Sequence, residues 1–326
     1  MSHAGWRERV DAAAAHLGGL VLTTPLLPSA HWSAVAGAEV RLKLENLQRT
    51  GSFKLRGASH ALSRLTAEQQ RRGVVAASSG NHGLGLAVAA REFGIAATVY
   101  VPTTTPADKV ARIASAGAEV VVVGDDCVDT EAAARRAADA SGACYVSPYN
   151  DLAVVAGQAT VARELLRQWP DVEVVYVALG GGGLLGGMAA YGGEVAPQVE
   201  FVGCSPLASP ALYECVRAGR GVDVACSDTW SDSTAGGVEP GAITLPLVAV
   251  HVARHRLVDE PSIVAAVAAT LRFDHMLVEG AAGVALAALR DDPDLRGRRT
   301  AVVVCGGNLP QLRQQQLWQW LATEPR

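Results

Sequence analysis

From residue 73 onward the chain repeats one pattern, in which a short apolar run is followed by a turn and then by a helical segment. The runs are built mainly from Val, Ala and Ile, without the polar alternation of a strand that has one face in water. Continuous apolar strands are typical of parallel sheets that helices cover on both faces. Parallel neighbours also need long crossover connections, which the intervening helices supply. The pattern therefore predicts an α/β protein with mostly parallel sheets.

The repeats form two groups, which we predict to be two three-layer α/β domains. The small domain spans 74–149, with predicted strands at 74–77, 96–101, 119–123 and 143–146. The large domain combines 1–73 with 150–326, with predicted strands at 40–45, 174–179, 200–204 and 301–304. Residues 219–247 are rich in Gly, Ser and Asp and give no clear assignment. Ligands of open α/β sheets bind beyond the carboxyl ends of the strands, so we expect the active site in the cleft between the domains.

Composition excludes several classes of partner. The formal net charge of −4 provides no basic surface for nucleic acid. No apolar run reaches membrane-spanning length, and the first residues do not resemble a secretion signal, so we expect a cytoplasmic protein without a membrane partner. The six cysteines are scattered without a C-x-x-C pair, which favours reduced thiols over disulfides or zinc. His251 and His255 lack the glutamate of an H-E-x-x-H zinc motif, so we predict no metal site.

Lysine is scarce, and only Lys43, Lys54 and Lys109 occur. Lys43 is on the polar side of the predicted strand 40–45, which we expect to face water. Lys109 lies at the start of a helix, and we expect it to be exposed. Lys54 instead follows a tight Gly-Ser turn and opens a helix, whose N-terminal end disfavours a second positive charge. Partial burial there would lower the pKa of the amine, so Lys54 is the candidate for covalent chemistry with a carbonyl.

A polar turn follows the predicted strand 74–77 and precedes a helix. It consists of Ser78, Ser79, Gly80, Asn81, His82 and Gly83. Hydroxyls, an amide and free backbone N–H groups at a helix start bind anions such as a carboxylate. Ordinary helix capping requires only one such residue, so a continuous run of them favours a binding site.

Four consecutive glycines, Gly180, Gly181, Gly182 and Gly183, follow an apolar strand and precede a helix. This tetraglycine loop lets the backbone approach a phosphate closely at a helix N-terminus. The glycines also fit the G-x-G-x-x-G of a dinucleotide site, which keeps an oxidoreductase as an alternative. That site needs an acidic residue about 20 positions later, and the strand 200–204 ends without one. The loop therefore fits a single phosphate better.

Cys305 follows the last predicted strand and precedes Gly306, Gly307 and Asn308. Its thiol is either the partner of a ring nitrogen or a small buried apolar group, and the residues alone leave both open. Together, an activated lysine, a phosphate cradle, a carboxylate site and a ring-nitrogen partner describe pyridoxal phosphate joined to an amino acid.

These segments, with Ala156-Gly157-Gln158 and Glu279–Gly283, resemble the threonine/serine dehydratases. That family belongs to the tryptophan-synthase-β-like, fold type II pyridoxal-phosphate enzymes, which include serine racemase. The resemblance extends over nearly the whole chain, and its most specific motifs are S-F-K-L-R-G-A and S-S-G-N-H-G. It implies a fold type II enzyme, with a homodimer as the usual assembly.

The resemblance also implies residue roles. Lys54 would form the Schiff base with the cofactor and move the Cα proton, and Ser79 would act as an acid on the opposite face. The residues implied to hold the cofactor are Phe53, Lys54, Asn81, Gly180, Gly181, Gly182, Gly183, Leu184, Glu279 and Cys305. Those implied to hold the substrate are Ser78, Ser79, Asn81 and His82.

The implied reaction is β-elimination of a β-hydroxy amino acid, L-threonine or L-serine first, to a 2-oxo acid and ammonia. A racemase, a dehydratase of a modified β-hydroxy amino acid and a non-catalytic ligand-binding homologue are the alternatives. Two segments depart from the family pattern. Ser205 stands where cation-binding relatives have an acidic residue, which argues against a metal. Residues 232–237 differ from the commoner A-D-G form, which predicts a retuned substrate pocket.

Overall fold

Two mostly parallel sheets organise the chain, in a computed structural model that describes residues 5–290 and 292–323. The larger sheet has six strands in the order β1-β2-β10-β7-β8-β9, and the smaller has four in the order β5-β4-β3-β6. β1 runs antiparallel to β2, and every other neighbouring pair among the described strands is parallel. The strands are β1 (Leu26–Pro28), β2 (Glu39–Leu44), β3 (Val74–Ala77), β4 (Ala97–Val101), β5 (Glu119–Val122), β6 (Cys144–Tyr145), β7 (Val174–Ala178), β8 (Glu200–Pro206), β9 (Arg254–Val258) and β10 (Arg299–Val304). This confirms the predicted α/β class.

Helices connect the strands and cover the sheets. All of β7, and all of β10 after its first residue, are buried, as expected for strands with both faces covered. None of the helices in the described part of the chain is long and apolar enough to cross a membrane. The helices are α1 (Trp6–His16), α2 (Ala30–Ala36), α3 (Lys54–Ser63), α4 (Ala67–Arg72), α5 (Asn81–Phe93), α6 (Ala107–Ser115), α7 (Cys127–Ser141), α8 (Leu152–Gln168), α9 (Gly183–Val195), α10 (Ala211–Ala218), α11 (Thr244–His251), α12 (Glu260–Phe273), α13 (Gly280–Ala287) and α14 (Gln311–Thr323).

Helix α3 links the two sheets. Its apolar residues Leu55, Ala58 and Leu62 are buried in the core of the four-stranded sheet, although α3 precedes residue 74. The same helix packs against α8, whose residues also belong to the core of the six-stranded sheet. We retain the division into 1–73 with 150–326 and 74–149 as a proposal, with α3 in contact with both parts.

The prediction that Lys43 faces water is wrong. The residue is fully buried, and its Nζ donates to Glu164 Oε2 at 2.6 Å, to Thr24 O at 2.8 Å and to Gln168 Oε1 at 3.0 Å. The alternation of polar and apolar residues describes β2 alone. It cannot show that Thr24, which precedes β1, and two residues of α8 supply acceptors on the polar side of β2.

Several short elements were not predicted, namely β9, α4, α10 and α11. β9 is an edge strand of sequence Arg-His-Arg-Leu-Val, and all of its residues except the last are only partly buried. Edge strands carry charged side chains that mask the apolar pattern of a core strand. α10 and α11 border the segment 219–243, which joins them largely without regular structure.

Candidate active site

Lys54 is the first residue of α3 and lies beside the end of β10. The turn before it is fixed to that strand end, because Ser52 pairs with Gly306 and the Phe53 N–H donates to Cys305 O at 3.1 Å. The lysine Nζ donates to Pro148 O at 2.9 Å and lies 5.2 Å from the centre of the Phe53 ring. The backbone thus holds the amine in one place.

Desolvation lowers the pKa of Lys54 to about 8, although the nearby Cys305 and Glu279 favour the charged form. A lysine in water has a pKa near 10.4 and is almost wholly protonated at pH 7. At the lowered pKa about a tenth of the amine is neutral at that pH. Lys54 can therefore act as a nucleophile or a base without a separate group to deprotonate it.

The polar run 78–83 follows β3 as predicted, but only residues 78–80 form the turn, because α5 begins at Asn81. Ser78 and Ser79 are partly exposed, and Ser78 Oγ accepts a hydrogen bond from the Gly80 N–H at 3.2 Å. Asn81 is the first residue of α5, and the first N–H groups of a helix have no acceptor within it. Ser79 and Asn81 line a cavity of about 50 Å³. The turn therefore presents hydroxyls and a helix N-terminus to a site that an anion could occupy.

His82 is buried and neutral. Its Nε2 lies 2.9 Å from Val146 O, so this nitrogen carries the hydrogen and Nδ1 is an acceptor. Burial, together with the charge of Lys54, lowers the pKa of His82 to about 3. His82 consequently brings no positive charge to the site, and it can attract a carboxylate only through its backbone N–H.

The buried Asn81 and Glu279 and the partly buried Asn308 form a hydrogen-bonded chain. The Asn81 amide donates to both Glu279 oxygens at 2.9 Å, and Asn308 Nδ2 donates to Asn81 Oδ1 at 2.7 Å. Asn308 Nδ2 also donates to Thr50 O at 2.9 Å, and Asn308 Oδ1 accepts from Arg112 at 2.8 Å. Since a carbonyl can only accept, Thr50 fixes which way the Asn308 amide points. Asn308 in turn fixes the amide of Asn81.

Cys305 lies at the end of β10 with its sulfur 4.0 Å from Glu279 Oε1. Burial, reinforced by the charge of Glu279, raises the pKa of the thiol well above its usual value. Burial likewise raises the pKa of Glu279, although hydrogen bonds from Asn81 and Ser233 oppose this. Cys305 is therefore a neutral thiol at physiological pH.

The tetraglycine loop joins β7 to α9, which begins at Gly183. Gly182 has a φ of +83°, a left-handed conformation that favours glycine. A Cβ on Gly181 would lie 2.4 Å from the Tyr149 ring, and one on Gly182 would lie 2.5 Å from Leu212. The loop has glycines because neighbouring side chains already fill the space. It leaves a backbone surface at a helix N-terminus, which suits a phosphate.

The cavity beside Ser79 is lined by helices and loops that surround both sheets. Lys54 and the tetraglycine loop do not line it; they meet at residues 147–150, through Pro148 and Tyr149. The cavity wall contains Ser79, Gly80, Asn81, Leu84, Lys109, Arg112, Ile113, Trp230, Asp232, Ser233, Glu279, Gly280, Asn308 and Pro310. Among the residues described, no group of three or more His, Cys, Asp and Glu could hold a metal ion.

The sequence patterns missed several of these residues. Pro148 contributes a backbone carbonyl, which every residue has, so its residue type gives no signal. Trp230 and Arg112 line the cavity from segments without a motif. Asn308 follows Gly306 and Gly307, and the sequence pattern predicts no role for it. Its only signal is an amide four residues after the end of β10.

Comparisons with known proteins identify the family of the chain. The model of the pyridoxal-phosphate dependent enzyme family matches residues 18–306. An L-threonine ammonia-lyase of Thermotoga maritima is 38% identical over 302 residues, covering 93% of this chain and 75% of the relative. An L-threo-3-hydroxyaspartate ammonia-lyase of a Pseudomonas species is 37% identical over 301 residues, covering 92% and 94%. The solved structure of maize serine racemase has a TM-score of 0.89 at 28% identity, covering 97% of this chain and 98% of that one.

Proposed function

We propose, because this chain belongs to the pyridoxal-phosphate dependent enzymes, that it catalyses β-elimination of a β-hydroxy amino acid. The products are a 2-oxo acid and ammonia. The first substrates to consider are L-threonine and L-serine, since relatives that share over a third of its residues are L-threonine ammonia-lyases.

One observation carries the proposal: the amine of Lys54, with its pKa lowered to about 8, is held against Pro148 O. The next residue along, Tyr149, packs on the tetraglycine loop. Pro148 thus holds an amine that can react with a carbonyl, and the adjacent Tyr149 packs on a loop that can bind a phosphate. Pyridoxal phosphate has both a carbonyl and a phosphate. The residues that would hold it are Phe53, Lys54, Asn81, Gly180, Gly181, Gly182, Gly183, Leu184, Glu279 and Cys305.

When bound, the cofactor would withdraw electrons from the Cα of the amino acid joined to it. Ser78, Ser79 and the N-terminus of α5 bind and orient the substrate carboxylate. Lys54 Nζ takes the Cα proton, because its lowered pKa leaves part of the amine neutral. The β-hydroxyl then takes up a proton and leaves as water, and a second water hydrolyses the released enamine to the 2-oxo acid and ammonia. Cys305 remains a neutral thiol and adds no charge to the cofactor ring, which favours elimination over transamination.

Racemisation is the second candidate function. Ser79 lies on the cavity wall and has a hydroxyl that could protonate Cα from the face opposite Lys54. The fold is shared with maize serine racemase. We keep this activity as an alternative because both functions need the same lysine and carboxylate site.

The test is release of 2-oxo acid by the cofactor-loaded protein from L- and D-threonine, L- and D-serine and L-threo-3-hydroxyaspartate. The last is included because a relative acts on it and because Lys109 and Arg112 line the cavity. We expect rapid release from at least one L-amino acid. Conversion of L- to D-serine without 2-oxo acid would favour the racemase, and no turnover of any substrate would contradict the lyase.

We also propose a cytoplasmic homodimer. All six cysteines are free thiols, which suits a reducing compartment. The homodimer is the usual assembly of the family this chain resembles. Light scattering of the purified protein should give twice the mass of the 33.7 kDa chain. A mass equal to one chain at micromolar concentration would contradict the dimer.

A further inference from the structure

The segment 147–150 connects β6 to α8 and contacts both the lysine and the tetraglycine loop. Pro148 O accepts the hydrogen bond from Lys54 Nζ. The ring of Tyr149 lies against Gly181, where a Cβ would approach it to 2.4 Å. A Cβ on Gly183 would lie 3.1 Å from the Tyr149 Cβ, so the contact continues to the start of α9.

This segment is fastened to residues 239–243, just before α11. The Tyr149 hydroxyl accepts from the Glu239 N–H at 2.9 Å, and Asn150 Oδ1 accepts from the Ile243 N–H at 2.9 Å. Ser147 Oγ donates to Glu239 Oε1 at 3.2 Å. Three successive contacts therefore fix where the Tyr149 ring lies.

Glu239 is itself held by α7, a helix that packs on the four-stranded sheet. Its Oε2 accepts from Arg135 of α7 at 2.7 Å, and Arg135 also pairs with Glu131 at 2.7 Å. Thr244, at the start of α11, donates to Gly181 O at 2.7 Å. The tetraglycine loop is thus contacted by the ring of Tyr149 and by the hydroxyl of Thr244, which belong to two other segments.

Four glycines in a row have no side chains with which to fix their own conformation, and glycine has the most backbone freedom of any residue. A phosphate site needs its N–H groups in place before the ligand arrives, because ordering them on binding lowers affinity. We propose that Tyr149 is a positioning residue that holds the tetraglycine loop in its phosphate-binding conformation, with Glu239 fixing Tyr149. This inference rests on the proposal that the loop holds the cofactor phosphate.

The experiment compares two ligands that differ only in the phosphate. Protein freed of cofactor is titrated with pyridoxal phosphate and with pyridoxal, and dissociation constants are measured by absorbance. Tyr149→Leu removes the ring, and we expect it to weaken pyridoxal phosphate about tenfold and pyridoxal less than about twofold. Tyr149→Phe keeps the ring and loses the bond to Glu239, so we expect a loss of about threefold for pyridoxal phosphate alone.

Tyr100→Leu is the matched control, because Tyr100 is a partly buried tyrosine on β4 that packs against a cluster of Val75 on β3 with Ala134 and Ala138 on α7. It should leave the ratio of the two dissociation constants unchanged. An equal loss for both ligands in Tyr149→Leu would mean a general structural role and would overturn the inference. So would unchanged binding in both Tyr149 variants. If Tyr149→Leu does not fold, Tyr149→Phe decides the question by the same ratio.

Failure of the proposed function is distinguishable from failure of this inference. Binding is measured without an amino acid, so absence of lyase activity does not affect the result. If the unaltered protein binds pyridoxal as tightly as pyridoxal phosphate, the loop is not a phosphate site. That outcome would overturn both the assignment of the loop and the role of Tyr149.

Discussion

The amide of Asn81 donates to both carboxylate oxygens of Glu279, at 2.9 Å each. Asn81 begins α5 beside the four-stranded sheet, and Glu279 precedes α13, which packs on the six-stranded sheet. The two residues lie 198 positions apart in the chain, so the tertiary fold rather than the local sequence brings them together. This buried contact places the turn 78–80, the cavity and the end of β10 around one point.

Replacing Asn308 should disturb that point. Asn308→Asp would set a carboxylate oxygen against Thr50 O and Asn81 Oδ1, where the amide now donates to both. An acceptor facing acceptors in this partly buried site costs about 1 kcal/mol or more of unfolding free energy. We expect that loss in urea unfolding, together with a lower kcat/KM. Gln314→Glu on α14, which loses one bond to the backbone carbonyl of Leu309, should leave kcat/KM unchanged. Equal kinetic effects in both variants would contradict the role of Asn308.

The pKa of Lys54 predicts how fast the cofactor attaches to the free protein. The attacking amine must be neutral, and the neutral fraction rises about tenfold per pH unit below the pKa. Because the pKa is lowered to about 8, the attachment rate should climb through neutral pH and level off above about pH 8. Stopped-flow absorbance at several pH values measures it, with Lys54→Ala as the control that should not react. A rate still rising near pH 10 would indicate an ordinary lysine.

Gly280 has no room for a side chain. A Cβ there would lie 1.8 Å from Trp230 O, so Gly280→Ala must displace the segment that forms part of the cavity wall. We expect a loss of about 1–3 kcal/mol of unfolding free energy and a raised KM for the amino acid. Gly221→Ala is the control, because a Cβ there meets no atom within 4 Å and the residue lies outside the predicted substrate pocket. An unchanged melting temperature and KM in Gly280→Ala would show that the Trp230 segment moves without cost.

A buried ion cluster supports the helix that carries Lys54. Arg56 is fully buried and contacts Glu45 Oε2 at 2.7 Å and Glu164 Oε1 at 2.6 Å, while Lys43 contacts Glu164 Oε2 at 2.6 Å. Arg56→Met would leave buried carboxylates without their main partner, which costs about 3–5 kcal/mol.

Denaturant unfolding measures the loss. The control is Arg71→Met, which breaks the exposed pair of Arg71 with Glu68 and should change stability too little to detect. If Arg56→Met is as stable as the control variant, the cluster does not stabilise α3.

The class of fold and much of the site follow from local patterns. Apolar runs between helices predicted the parallel sheets, and the positions of Lys54 and the tetraglycine loop at helix starts followed from the turns before them. Both features depend on neighbouring residues in the chain. The homologous motifs then placed Asn81 and Glu279 in one site, and the structure brings them into contact.

The remaining features depend on what packs from elsewhere. The alternation of polar and apolar residues in β2 predicted that Lys43 faces water, yet Glu164 of α8 binds its amine in the interior. Pro148 serves through a carbonyl that any residue has. Tyr149 became significant only when the fold set its ring against Gly181. None of these relationships is written in a local pattern, since each joins segments far apart in the chain.

The most direct test of the central claim asks which lysine holds the cofactor. Reduction of the loaded protein with borohydride makes the attachment permanent, and mass spectrometry of its peptides then locates the label among Lys43, Lys54 and Lys109. We predict a label on the peptide that contains Lys54, lost in Lys54→Ala together with release of 2-oxo acid from L-threonine or L-serine. A label on Lys43 or Lys109, or full lyase activity in Lys54→Ala, would contradict the account.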